Sequence, residues 1–301
     1  MRVIDGHFHL YKTEQAGIMA QGGESLIGFS GTLGEAVPIL DRGRIGTVIA
    51  LAVIPISPMR QAAMKKWPED TPPLKKRALT EALEEKMLAR LISFNDWICR
   101  VAREDRRIEP VIAADATLNK DEMAVEILSK VDAYGISAIK IHPAANGLSP
   151  THQGYHHIFE LAQEKNLTVI SHGGMSGDDP EGTYCSPLNF RKVLDRFPGL
   201  TLVVAHLAFP HVKGLLELAP QSPNLYTDLS FILRAAPISD DVYDEVIRSF
   251  GPERVIFGSD FPWSDPEKDL DRLLELNLSD KDIEMITCQN AERIFGLSST
   301  G

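Results

Sequence analysis

Short apolar runs alternate with longer helical patterns from one end of the chain to the other. The runs are Arg2–Asp5, Thr47–Ile54, Glu109–Asp115, Ser137–His142, Leu167–His172, Thr201–His206, Asn224–Ser230 and Arg254–Asp260. Most are continuous and rich in Val and Ile. Parallel strands covered on their outer face read this way, because neither face needs polar residues for solvent. The gaps carry helix punctuation. Asn119 or Asp121 caps a helix running to about Tyr134, with Gly135 as its stop. Gly154–Lys165, Pro187–Phe197, Ser239–Phe250 and Asp265–Leu276 follow the same logic, and Ser279–Asp282 caps a last helix ending near Gly296. Eight strand–helix units predict an α/β chain folded as a (β/α)8 TIM barrel. An open doubly wound sheet is the rival that pattern alone leaves standing.

Two segments break this rhythm. Residues 11–32 follow the first strand directly and contain Gly17, Gly22, Gly23, Gly28 and Gly31. A loop of that length in a compact domain usually serves function, and its position makes it a candidate lid. Residues 55–108 open with Pro55, Pro58, Pro68, Pro72 and Pro73 and continue as a long charged helix from about Lys75 to Arg106. This exceeds what one crossover needs. We expect a helical insertion after the second strand that caps the site or mediates dimerisation, an extra C-terminal helix, and one domain over 1–301.

The chemistry concentrates at strand ends. His7 and His9 lie two residues apart, and side chains two apart on a strand share a face, so their imidazoles can converge on one divalent ion. His172, His206 and Asp260 sit at the ends of the fifth, sixth and eighth runs. Each alone has an ordinary structural explanation, such as a satisfied histidine or a turn cap. In a barrel, however, the carboxyl ends of all strands surround one axial pocket, and four of them supplying metal-binding or proton-moving groups is a shared site rather than coincidence. Lys140 and His142 alternate onto one face of the fourth run. Lys140 is either an ammonium that neutralises a substrate carboxylate or pairs with an inner acid such as Asp115, or a carboxylated bridge between two metals. Arg234 and Arg60 are either anion contacts or surface arginines, and Trp263 and Phe209 either wall the pocket or pack against loops. Tyr184 and Cys185 lie in the loop after His172, with no sign of the base a catalytic cysteine needs.

Composition narrows the partners. The net charge is −11, which argues against a nucleic-acid backbone as partner. Cys99, Cys185 and Cys288 are odd in number and far apart, as expected for reduced thiols in a cytoplasmic protein. No stretch approaches the roughly 18 apolar residues of a membrane helix, and no signal-peptide pattern opens the chain. A small molecule is the expected partner, with a homodimer as the expected assembly if the long helix pairs.

The ordered motifs Asp5-Gly6-His7-Phe8-His9, Lys140-Ile141-His142-Pro143, Ser171-His172-Gly173, Ala205-His206, Gly258-Ser259-Asp260-Phe261-Pro262 and Asn290-Ala291-Glu292-Arg293-Ile294-Phe295 resemble the amidohydrolase superfamily. The similar branch is that of aminocarboxymuconate-semialdehyde decarboxylase and the TIM-barrel metal-dependent hydrolases. The resemblance implies one divalent metal, usually Zn with Mn or Fe as alternatives, held by His7, His9, His172 and Asp260. It implies that His206 works beside the metal, and that in the hydrolytic branch Asp260 handles the proton of an attacking water. Lys140, His142, Arg234 and Trp263 are then the candidates for substrate contact. The expected activity is hydrolysis of a small amide, lactone or ester. The alternative is a non-oxidative decarboxylase or other lyase acting on a carboxylated aromatic or unsaturated acid, which would use the same ligands.

Overall fold

The computed structural model describes residues 1–297 apart from Asp178 and Pro237. Eight strands follow the predicted runs: β1 (Ile4–Phe8), β2 (Thr47–Leu51), β3 (Ile108–Ala113), β4 (Ala138–Ile141), β5 (Thr168–Ser171), β6 (Leu202–Val204), β7 (Leu225–Asp228) and β8 (Val255–Ile256). Each pairs in parallel with the next in chain order. The seam between β8 and β1 is joined by the Gly6 amide on the Phe257 carbonyl, the Asp260 amide on the His7 carbonyl and the His9 amide on the Phe261 carbonyl, each at 2.8 Å. The chain is therefore a TIM barrel, and the open-sheet alternative is set aside.

Period-two alternation sorts the strand residues into two cores. Ile4, Ile49, Leu51, Val111, Ala138, Ile170, Val203 and Ile256 fill the barrel interior, and Cys288, Ala291 and Phe295 of the C-terminal segment plug its amino-terminal mouth. Ile139, Ile141, Val169, Leu202 and Val204 face outward against the helices. Following the inward face up each strand carries the argument to the site. Ala138 is followed by Lys140 and His142, Ile170 by His172, and Tyr226 by Asp228. In β1 the register shifts between Asp5 and Phe8. This lets Phe8 and Leu10 join the outer core while His7 and His9 turn inward.

The helices carry the punctuation expected of them in most places. Helix α1 (Glu14–Ala20), capped by Thr13, occupies the glycine-rich segment, so the expected lid contains a helix. It precedes α2 (Leu33–Asp41) and, after β2, α3 (Ile56–Met64). Next comes α4 (Pro73–Glu104), whose buried residues run from Leu83 to Val101 and pack on β3. Its first turns, Pro73 to Ala82, bury nothing. The helix is thus the crossover to β3 with an exposed amino-terminal extension. In α5 (Lys120–Tyr134) the Asn119 side chain accepts the Asp121 and Glu122 amides, and Gly135 ends the helix at φ 68°. The last helix is interrupted by a π-helical stretch at Met285–Gln289. There the Ile286 carbonyl accepts the Phe257 amide instead of a helical partner. No helix among the described residues is long and apolar enough to cross a membrane.

Asn95, fully buried on α4, ties the helix to its neighbours. Its Oδ1 accepts the Ala113 amide at 2.9 Å, and its Nδ2 donates to the Ala113 carbonyl at 3.1 Å and to Glu126 at 3.0 Å. Asn95→Ala strands the groups at the end of β3, and the expected loss is about 2–3 kcal/mol, read as a lower urea midpoint at unchanged slope. An unchanged midpoint would show that the clamp adds nothing.

Candidate metal centre

At the carboxyl end of the barrel, His7, His206 and Asp260 each offer one ligand atom within 4.8 Å of the others, and all three are buried or nearly so. Asp260 Oδ1 lies 3.4 Å from His7 Nε2 and 3.1 Å from His9 Nε2. The His172 ring centroid is 5.0 Å from that of His206 and stacks on His142 at 4.2 Å. The fold thus gathers side chains from β1 and from the segments after β4, β5, β6 and β8. Two of them sit in left-handed backbone, His206 at φ 59° and Asp260 at φ 64°. His and Asp are among the few non-glycine residues that tolerate this region, and strain of this kind collects at functional sites. Gly258 makes room beside β1, because a Cβ there would lie 2.7 Å from the His7 Cβ.

The remaining ring nitrogens decide whether the set suits a cation. His7 Nδ1 donates to Asp228 Oδ2 at 2.8 Å, His9 Nδ1 to the Leu51 carbonyl at 2.9 Å, and His206 Nδ1 to the Ser230 carbonyl at 3.0 Å. Each bond fixes the tautomer and leaves Nε2 with its lone pair. In His172 the roles reverse: Nε2 donates to the Met175 carbonyl at 3.0 Å and Nδ1 keeps the lone pair. Metal-ligating histidines are oriented in this way by carboxylates and carbonyls behind them. The residues present therefore fit a divalent ion.

Asp228 carries much of this arrangement, and the sequence reading missed it. It also accepts the His206 amide at 2.9 Å and the Ser230 amide at 3.1 Å. Burial pushes its carboxyl up, but the His7 and His206 contacts outweigh burial and hold it well below the carboxylate range. The available signal was an ionisable residue within the seventh run, two residues short of its end.

Burial works against charge on the other groups. It lowers His7 to about 3, helped by the Lys140 charge, and His142 to about 3 with the same helper. His172 also falls well below its ordinary value, through burial and the neighbouring His142. Asp260 is raised by burial, yet the His9 hydrogen bond and the nearby His206 and His7 bring it to about 2. Lys140 is lowered by burial to about 8, with Asp228 and Asp260 opposing the shift. Its Nζ lies 3.3 Å from His7 Nε2. A narrow cleft of about 10 Å³, room for one water, adjoins it between Ala52, Leu91, Asp115, Lys140, His142 and Asn146.

The softer candidates separate. Trp263 packs edge-on against His9 at 5.3 Å and walls the site. Arg234 lies outside the cluster, solvent-exposed on the four-residue helix Ile232–Ala235. Arg60 is neither a free anion contact nor a loose surface group: its guanidinium grips Glu84 at 2.6 and 2.7 Å and Thr117 at 3.1 Å. Asp115 is engaged by Thr117, with its amide at 2.8 Å, and not by Lys140. Cys185 is buried and its thiol is pushed up to about 12, which removes it as a nucleophile. Phe209 and Tyr184 pack against the hydrophobic core.

The family model described as Amidohydrolase matches residues 4–297, and the chain belongs to that family. Members typically use a divalent metal. A dihydroorotase of Helicobacter hepaticus is 28% identical over 130 residues, 40% of this chain and 36% of that protein. The chain thus matches only about a third of that curated relative's length. Among solved structures, a TIM-barrel protein of Bordetella bronchiseptica superposes with a TM-score of 0.73 at 17% identity, covering 99% of each chain. A dihydroxybenzoic acid decarboxylase of Polaromonas sp. JS666, solved with manganese and 2-nitroresorcinol, superposes with a TM-score of 0.72 at 14% identity, covering 98% of this chain and 97% of that one.

Asp228→Asn keeps the side-chain shape but removes the charge behind His7. Loss of such an outer partner is expected to weaken divalent-ion affinity by about 10–100-fold, read by competition with a chelator. Unchanged affinity would show that Asp228 serves the fold alone.

Proposed function

We propose that the chain is a metal-dependent hydrolase of a small polar or anionic substrate carrying an amide, lactone or ester bond, with Zn as the expected ion and Mn or Fe as alternatives. One observation carries this reading. His7 and His9 of the first strand end and His206 of the sixth bring a ring nitrogen each to one carboxylate, Asp260, with their other nitrogens fixed from behind, and His172 stands next to His206. When bound, a divalent ion supplies Lewis acidity and brings the pKa of a coordinated water towards ~7.

The chain's own groups then have separable tasks. We assign His7, His9, His172 and Asp260 to the ion. Asp260, held to about 2, is ionised at neutral pH and can accept a proton at its free oxygen and pass it to a leaving group. His206, locked by Ser230, turns Nε2 towards the reacting centre, where it holds or moves a proton. Lys140 and Trp263 present an ammonium and an aromatic wall to the substrate.

That same pair favours a second reading, decarboxylation of a carboxylated aromatic. An ammonium and an aromatic wall at one site suit such a substrate, and the structurally similar Polaromonas protein is named a decarboxylase. Metal-loaded protein offered lactones, amides and 2,6-dihydroxybenzoate, with acid and CO₂ release followed in parallel, separates the two. Acid without CO₂ is expected. CO₂ release would install the second reading, and no turnover of either kind would leave a metal-binding barrel without this chemistry. Chelation is expected to abolish turnover and re-addition of the ion to restore it.

The division of labour among the histidines has its own check. His7→Ala and His172→Ala are expected to lose metal on purification, whereas His206→Ala keeps it and loses turnover by about 10²–10⁴-fold, the range for a general acid or base. His206, His7 and Asp260 have ligand atoms within 4.8 Å of one another. Metal lost from His206→Ala but kept by His172→Ala would exchange their roles.

A further inference from the structure

Beyond the histidines, β1 delivers one more side chain to the same place. The inward alternation that carries His7 and His9 continues to Tyr11. Its backbone extends the strand, with the Tyr11 amide on the Gly31 carbonyl at 2.7 Å and a parallel bridge to Thr32. The seat of the ring is built. A Cβ at Gly31 would come within 2.9 Å of the ring edge, and one at Gly17 would strike the Ser30 backbone first and reach the ring at 3.1 Å, so glycines flank the ring on both sides. The ring packs edge-on against Trp263 at 6.3 Å, and Trp263 in turn packs on His9. Tyr11 is only 5% exposed.

Its hydroxyl has no hydrogen-bond partner among the described residues. Buried phenols pair their hydroxyls almost without exception, since an unmet one costs about 1–3 kcal/mol. A hydrophobic wall alone would be served by Phe, as it is at Phe8 and Phe261.

We propose that Tyr11 is a substrate-binding residue of this centre, whose hydroxyl donates to an oxygen of the bound molecule, a carbonyl or carboxylate held on the Trp263 side of the site. The assignment deepens the metal-site reading and rests on it. It gives the site a neutral donor from the end of β1, in addition to the Lys140 ammonium delivered by β4. A substrate with oxygen acceptors at two points could engage both.

The test uses cobalt(II)-loaded protein with acetohydroxamate as the probe, a small molecule that offers two oxygen acceptors to a metal centre. In Tyr11→Phe the cobalt content and the visible spectrum of the probe-free protein are expected to match wild type, because Tyr11 does not touch the ion. The thermal midpoint is expected to hold or rise, since a hydroxyl without a protein partner is removed. The dissociation constant of acetohydroxamate is expected to rise about tenfold, the size of one hydrogen bond to a polar acceptor. Equal probe affinity in the two proteins would overturn the assignment. So would a fall in midpoint with probe affinity unchanged, which marks a structural hydroxyl. Wild-type protein that takes up no cobalt would instead overturn the metal centre itself, and the donor with it.

Discussion

A single buried carboxylate, Asp228, ties three strands of the barrel to the chemistry at its mouth. It takes the His7 side chain from β1, the backbone after β6 through the His206 amide, and the turn after its own β7 through Ser230. A charge this deep is tolerable only when it is paired and hydrogen-bonded, and here the partners are the groups whose orientation the site requires. Asp5, two residues before His7, shows the contrast. It accepts the His7 and Ser259 amides and the Ser259 hydroxyl, so it too spans a seam, between β1 and the segment after β8. Its neighbours are neutral donors, and burial pushes it up to about 7 despite them. One carboxylate is kept charged to orient imidazoles, and the other joins strands.

Stability and chemistry occupy different storeys of the same strands. The lower layer is aliphatic and sealed from below by Ala291 and Phe295. The upper layer is histidine, lysine and aspartate, reached on the same parity in β4, β5, β7 and β8, through the register shift in β1, and through left-handed backbone after β6. Because the apolar layer and the helix-facing core do not depend on the upper groups, the latter can hold uncomfortable states: left-handed backbone at His206 and Asp260, and an ammonium lowered to about 8. Such costs are bearable where the surroundings over-determine the geometry.

Much of this was legible beforehand, for identifiable reasons. Continuous Val- and Ile-rich runs mark covered parallel strands, and the caps at Asn119 and Gly135 mark α5, because both signals are local. The histidines were legible because a strand end is a position as well as a residue type. Three features were hidden because they depend on partners distant in sequence. Asp228 reads as the tail of a strand until His7 is brought to it from 221 residues away. Tyr11 reads as the start of a loop, because the segment that extends β1 at Gly31 and Thr32 lies beyond a glycine-rich stretch. The role of Arg60 was set by Glu84, on a helix whose face the sequence alone could not assign. The π-helical stretch at Met285–Gln289 was likewise unreadable, since it exists to offer the Ile286 carbonyl to Phe257 across the barrel floor.

Charge balance bears on the kind of molecule such a centre accepts. Ligation requires the imidazoles to be unprotonated, so the charges that face the site are the carboxylates of Asp228 and Asp260 and the ammonium of Lys140, with Asp5 set below them at the strand seam. Together they leave one negative charge, and a substrate anion would be repelled. A divalent ion reverses the sign to one positive charge in a region where water scarcely screens it. An anionic group can then be drawn in, with Lys140 on the β4 side to receive it. Arg60 and Asp115 add nothing to this balance, because each is spent on its own neighbours. On the proposed reading, metal uptake and acceptance of an acidic substrate would be one property of the site, because the sign that admits an anion is set by the ion.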